Sequence, residues 1–71
     1  MNQFNAEIGK RVRELREKQG YTRERLAELA GISDKYLYEA ETGKKDLSTQ
    51  KIFDMSLVLG VSIDYLASGK H

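Results

Sequence analysis

Residues 22–41 read TRERLAELAGISDKYLYEAE and decide the fold, because two short helical patterns follow each other there almost without a gap. Thr22 predicts the N-cap of a helix over about residues 23–30, since its hydroxyl can accept from the first turn. Ser33 predicts the N-cap of a second helix over about residues 34–41 in the same way. The segment therefore predicts a pair of consecutive, tightly connected helices.

The connection between these two helices is Gly31-Ile32-Ser33, and a link this short makes them cross steeply and touch. Ala27 is the small residue that permits the close approach. The helix over about residues 34–41, the third in the chain, then has one side exposed. The residues expected there are Asp34, Lys35, Tyr38, Glu39 and Thr42. This is the helix-turn-helix arrangement, whose second helix can enter the major groove of DNA.

The rest of the chain is also read as helical, because apolar residues recur at helical spacing and no segment alternates long enough for a strand. Leu29 and Phe53 are counted among the inner positions of their helices. The predicted fold is a single all-α domain, a compact bundle of five helices spanning 1–71, with an ordered core at about 5–68. The three further helices are expected over about 5–19, from Ser48 or Thr49 to Gly60, and from Ser62 onward.

Composition excludes several classes of function. The 71 residues contain no cysteine, and the single histidine, His71, is the last residue and is expected to be inert. Thiolate metal sites and disulfides are therefore absent, and most triad or general-base chemistry has no residues to use. No apolar run reaches the roughly 18 residues that cross a bilayer. We expect a cytoplasmic protein that is not an enzyme and has no cofactor, metal, membrane association or small-molecule substrate.

Several sequence pieces together resemble the phage-repressor/Cro-like, or Xre-type, helix-turn-helix family. The resemblance covers about residues 8–68, and the order and spacing of the pieces make it specific. The pieces are IGKRVRELR (8–16), GYTRERLAELAGIS (20–33), YL (36–37), ETGK (41–44) and LGVSIDYL (59–66). It implies a lambda-repressor-like fold and a DNA-binding regulator of prokaryotic or phage origin.

The resemblance also implies roles for individual residues. Arg16 and Glu41 match a buried ion pair that ties the first helix to the third. Arg23 and Lys44 match positions that contact phosphate, and we add Thr42, Lys45 and Arg11 as phosphate candidates near them. The positions that match base-reading residues are Ser33, Asp34, Lys35 and Glu39, to which the outward position of Tyr38 adds a fifth.

Two of the departures from the family pattern bear on the docking and the chemistry of the third helix. Ala40 stands where similar proteins often have a bulky apolar residue, so either Tyr36 or Phe53 is expected to fill the gap, or the third helix docks loosely. The outward face also carries two acids, Asp34 and Glu39, which repel phosphate unless they accept from cytosine. This leaves an alternative function open, a protein-interaction module of the same fold whose acidic face binds a basic partner.

The distribution of charge favours DNA. Residues 1–25 hold seven bases and four acids, a net of +3, whereas residues 26–71 hold five bases and seven acids, a net of −2. The basic excess can meet the DNA backbone, or it can simply be the solvated surface of two helices. Because the net charge of the chain is only +1, binding by one copy is expected to be weak and to depend strongly on salt.

A second copy of the chain is the other expected partner. A two-fold dimer places two reading helices about 34 Å apart, one turn of DNA, and reads a two-fold symmetric operator. The dimer candidates, in the region that similar repressors use for pairing, are the residues Leu57, Val61, Tyr65 and Leu66. The alternative is that apolar residues of this region form the core of one chain, which we favour for Ile63 and Leu66.

Overall fold

The computed structural model describes residues 3–70, with side chains from Asn5 onward, and these residues form five helices and no strand. This confirms the predicted all-α bundle; His71 lies outside the described residues. No helix within 3–70 has both the length and the apolar character needed to cross a membrane. The helices are α1 (Gln3–Lys18), α2 (Arg23–Ala30), α3 (Asp34–Glu41), α4 (Thr49–Leu59) and α5 (Ile63–Ser68).

Serine and threonine hydroxyls set the starts of the last four helices. Each one accepts a hydrogen bond from the backbone N–H three residues later, at 2.9 to 3.2 Å, which satisfies a donor that the helix leaves unpaired. Ser48 is the N-cap of α4, which decides between the two candidates. The other three N-caps are the predicted Thr22, Ser33 and Ser62.

The core is built from inward stripes of all five helices. Its fully buried side chains come mainly from α1, α2 and α3, with Met55 and Leu66 supplied by α4 and α5. Phe53 was wrongly assigned to the core, because it is 43% exposed while the neighbouring positions at helical spacing face inward. Leu29 is exposed in the same way. The core cluster is Ile8, Val12, Leu26, Ala27, Ala30, Leu37, Ile52, Met55, Leu59 and Leu66.

The contact between α1 and α3 is unusually close. A Cβ atom placed on Gly9 would lie 1.8 Å from the carbonyl oxygen of Ala40, so only glycine fits at that position of α1. The small side chain of Ala40 is itself buried. The close approach of the two backbones contradicts the alternative that α3 docks loosely.

Candidate nucleic-acid interface

The outer side of α3 is open to solvent along its whole length. Asp34, Lys35 and Tyr38 are exposed, and Glu39 is half-buried, whereas Leu37, Ala40 and Glu41 of the same helix are buried. The predicted base-reading residues therefore share one accessible surface. We call this surface, Ser33 to Thr42 on the outer side of α3, the reading face.

Ser33 starts the reading face and already has one structural task. Its hydroxyl oxygen accepts from the backbone N–H of Tyr36 at 2.9 Å and thereby caps α3. A serine hydroxyl carries one proton and two lone pairs, so it can accept this bond and still donate to another group. The cap and the predicted contact with DNA are compatible for this residue.

Arg23 links the beginnings of α2 and α3. Its Nε donates to Oδ1 of Asp34 at 3.2 Å, and its guanidinium carbon lies 5.1 Å from the centroid of the Tyr38 ring. Asp34 and Tyr38 are four residues apart on α3, so both lie on the side where Arg23 arrives. The arginine therefore belongs to the reading face although its backbone is in α2. The sequence analysis missed this pairing; the signal was that both residues open helices whose N-termini a short link holds together.

The loop that follows α3 carries three of the predicted phosphate contacts. Lys44 is exposed, and its ammonium is available for an anion. The hydroxyl of Thr42 donates to the carbonyl of Tyr38 at 2.9 Å, so its proton is already used within the helix. Lys45 is half-buried, with its Nζ 5.4 Å from the centroid of the Tyr36 ring. The hydroxyl of Tyr36 is buried as well.

The ion pair between Arg16 and Glu41 joins α1 to the inner side of α3, opposite the reading face. Nε and Nη2 of Arg16 donate to the two carboxylate oxygens of Glu41 at 2.7 and 3.0 Å, the bidentate geometry that the resemblance implied. The two side chains are only 12% and 4% exposed. Hydrogen bonding to Glu41 raises the pKa of Arg16 above its ordinary value, against the opposing effect of burial. A further bond, from Nη1 of Arg16 to the carbonyl of Tyr21 at 3.0 Å, ties in the turn before α2.

Arg11 of α1 and Gln19, the residue directly after it, donate to carbonyls near the ends of the last two helices, a role that the sequence analysis missed. Nη1 of Arg11 donates to the carbonyl of Leu66 at 2.9 Å, and its Nη2 lies 3.6 Å from a carboxylate oxygen of Glu7. Nε2 of Gln19 donates to the carbonyl of Leu59 at 2.8 Å. Arg11, predicted as a phosphate contact, thus lies against α5. Only a folded structure reveals such bonds, since 55 and 40 residues separate their partners.

The dimer candidates fall into two groups. Leu57 is 64% exposed on α4, one turn from the exposed Phe53, and Val61 and Tyr65 are half-buried. Leu66 is 0% exposed and belongs to the core. Its place among the dimer candidates was wrong, and the alternative that we favoured for it, a core residue, is correct.

The comparison with known sequences identifies relatives over most of the chain. The sequence model of the helix-turn-helix family matches residues 12–66. The HTH-type transcriptional regulator YazB of Bacillus subtilis is 44% identical over 65 residues, which are 90% of this chain and 94% of YazB. The SPbeta prophage-derived HTH-type transcriptional regulator YonR of the same organism is 33% identical over 64 residues, 90% of this chain. The chain spans only 59% of the length of YonR.

The comparison with solved structures agrees with the sequence comparison. A crystal structure of SinR, a master regulator of biofilm formation from Bacillus subtilis, in complex with DNA superimposes with a TM-score of 0.79. The two chains are 37% identical, and the match covers 83% of this chain and 95% of the SinR chain.

Proposed function

The chain belongs to the helix-turn-helix family, and from that premise we propose that it binds double-stranded DNA sequence-specifically as a transcriptional regulator. We propose further that it is a repressor, which occupies an operator and so excludes the polymerase. In this role it acts in the cytoplasm, where prokaryotic DNA is found.

The observation that carries this proposal is the division of α3 into two sides. Its inner side is locked to α1 by the Arg16–Glu41 pair and by the contact of Gly9 with Ala40. Its outer side presents Lys35 and Tyr38 to solvent. A helix held rigidly from behind can enter a major groove with defined side-chain positions, and base edges there are distinguished by hydrogen-bond pattern.

Phosphate contacts are proposed beyond the end of the reading face, whereas its start carries a base-reading candidate. At the start of α3, the hydroxyl of Ser33 still has a proton to donate to a base edge. Beyond its end, Lys44 is exposed and Lys45 lies beside it. Thr42 and Arg11 contribute less to this proposal, because their donors are already used within the fold.

A homodimer on DNA is proposed from the exposed side of α4. Phe53 and Leu57 lie one helical turn apart and are both exposed, which leaves an apolar surface that a second copy can cover. The described residues span 25 × 25 × 20 Å. Two such bodies side by side are large enough to present reading helices about 34 Å apart, the spacing of two half-sites on one face of DNA.

The ion pair between Arg23 and Asp34 bears on the alternative function, binding of a basic protein partner. That alternative depended on two acids on the reading face. One of them, Asp34, is bonded to an arginine of the same chain, so the face carries less free negative charge than the sequence suggested. The structure therefore offers more support for DNA than for a basic protein.

Selection from a random duplex library with the purified chain at low salt tests the proposed function. We expect enrichment of a two-fold symmetric sequence whose affinity falls steeply as salt rises, because several phosphates are neutralised. Enrichment of a single half-site would keep the DNA-binding function and contradict the dimer. Absence of enrichment at any salt concentration would contradict the DNA-binding function and favour the protein-interaction module.

A further inference from the structure

We propose that Arg23 reads a guanine in the bound DNA and that Asp34 acts as its positioning residue. The inference rests on the proposed DNA-binding function and deepens it, since it assigns one base of the operator to one side chain. It also changes the roles expected from the sequence, where Arg23 was a phosphate contact and Asp34 a reader of bases.

The geometry of the guanidinium carries the first step. Nε of Arg23 donates to Asp34, and the guanidinium carbon lies over the Tyr38 ring, 5.1 Å from its centroid. Within residues 3–70, no hydrogen bond engages the two terminal nitrogens of Arg23. The guanidinium of Arg23 is thus fixed through Nε and by the Tyr38 ring, while its two terminal nitrogens keep their donors free.

The chemistry of that fork selects the base. Two parallel N–H groups of an arginine match the O6 and N7 acceptors that guanine alone presents as a pair in the major groove. Bidentate pairing requires a fixed orientation, because both donors must reach their acceptors together. The bond to Asp34 and the contact with Tyr38 supply that orientation before DNA arrives, so less side-chain freedom is lost on binding.

The charge around Arg23 explains why a base is favoured over a phosphate. The carboxylate of Asp34 lies 3.2 Å from Nε, so the pair as a whole is close to neutral. A phosphate brought to the same guanidinium would also meet the negative charge of Asp34. A guanine edge is uncharged, so its binding depends on the direction of the two hydrogen bonds and not on the net charge of the pair. Lys44, which has no ion-pair partner among residues 3–70, is better placed to neutralise a phosphate.

Selection and binding measurements with Arg23→Lys and Asp34→Asn test the proposal. Arg23→Lys keeps the charge and removes the fork, while Asp34→Asn removes only the carboxylate charge that orients it. Arg25→Lys is the matched control, since Arg25 is an exposed arginine of the same helix that pairs with Glu28. Circular dichroism melting curves of all three variants establish that each is folded.

The wild-type chain should select one guanine per half-site that it distinguishes from adenine by about 5- to 150-fold, the range of a good bidentate contact. Arg23→Lys should lose most of this discrimination at that single position, with the other positions of the site unchanged. Asp34→Asn should weaken it at the same position, and the double variant should be no worse than Arg23→Lys. Arg25→Lys should keep the wild-type preference.

Two results would overturn the proposal. The first is a guanine preference that survives in Arg23→Lys at full strength, which shows that another residue reads the base. The second is a uniform loss of affinity for all sequences in Arg23→Ala with a salt slope smaller by about one, which identifies a phosphate contact. If the wild-type chain enriches no sequence, the DNA-binding function itself fails, a result distinct from both.

Discussion

The two sides of α3 are built on different principles. On the inner side, Gly9 admits the backbone of α1 up to the carbonyl of Ala40, and a buried bidentate pair joins Arg16 to Glu41. On the outer side, exposed polar and aromatic side chains make few contacts apart from the Arg23–Asp34 pair. The inner side therefore contributes to the stability of the chain, whereas the proposed function assigns DNA recognition to the outer side. Four substitutions test this division, and they are arranged from the largest expected change in stability to the smallest.

Replacing Glu41 with alanine should have the largest effect on the inner side. It leaves the guanidinium of Arg16 buried without its carboxylate, and loss of one partner of a buried pair costs about 3 to 5 kcal/mol. Urea unfolding followed by circular dichroism measures the change. The exposed Glu14→Ala on α1 is the control and should change stability by no more than about 0.5 kcal/mol.

The effect of pH on the cost of Glu41→Ala follows from the raised pKa of Arg16. A raised pKa means that the stabilisation from Arg16 is complete below its ordinary pKa and is lost only as pH rises through the still higher value in the folded chain. Because Arg16 stays protonated between about pH 6 and 9, its titration should not change the cost of Glu41→Ala over that range. A double variant, Arg16→Met with Glu41→Leu, should recover much of the loss. Equal instability of the double variant would show that packing, not the unpaired charge, is responsible.

Replacing Gly9 with alanine tests the close contact, and the sign of the effect is diagnostic. Helix propensity alone predicts that alanine inside α1 stabilises the chain by about 1 kcal/mol. The contact with the carbonyl of Ala40 predicts a loss of about 3 kcal/mol, because backbone must move. Thermal unfolding of Gly9→Ala beside Lys10→Ala distinguishes the two. A stabilised Gly9→Ala variant would show that α3 is not held as tightly as described.

Ser33 stands between the two sides, because it caps α3 and also opens the reading face. Ser33→Ala should cost about 1 kcal/mol through loss of the bond to the N–H of Tyr36. Thr49→Ala is the matched control, since Thr49 is exposed in the first turn of α4 but is not its N-cap. Urea unfolding of both variants is sufficient. Equal stability of the two variants would show that Ser33 has no capping role, and its place on the reading face would be its remaining role.

Lys44 should show the smallest change in stability and a clear change in binding. Lys44→Ala should stay within about 0.5 kcal/mol of the wild type in unfolding experiments. Its affinity for all DNA sequences should fall evenly, and the slope of log affinity against log salt should decrease by about one. Lys18→Ala, an exposed lysine at the end of α1, is the control for charge alone. A change in base preference in Lys44→Ala would contradict its assignment to phosphate.

Local signals in the sequence were sufficient for the helices. The caps at Thr22, Ser33 and Ser62 depend on one side chain and the next turn of backbone, so they can be read from residues within a few positions of each other. The boundary of α1 was less accurate, with a predicted start at about residue 5 against Gln3. Helical spacing identified most of the core, although at Leu29 and Phe53 it could not distinguish an inward residue from a flanking one.

The features that hold α3 were only partly accessible from the sequence. The pair between Arg16 and Glu41 came from the family resemblance, not from the spacing of the residues, and the structure confirms it. The contact between Gly9 and Ala40 was missed, because two small residues in separate helices carry no chemical sign that they meet. For the candidate site, the exposure of the reading face was expected, whereas the bond of Arg23 to Asp34 depends on the relative placement of two helices.

The bonds from Arg11 and Gln19 to the ends of the last two helices have a consequence for the order of folding. Arg11 and Gln19 precede the helix-turn-helix in the chain, and the carbonyls that they bind, on Leu66 and Leu59, follow it. Loops of 40 and 55 residues must close before either bond forms, and closure of long loops costs entropy that only the completed contact repays. While α5 is not yet docked, Arg11 lacks the carbonyl that it binds in the folded chain. We therefore expect these two bonds to form late in folding, after the contacts between residues that are closer in sequence.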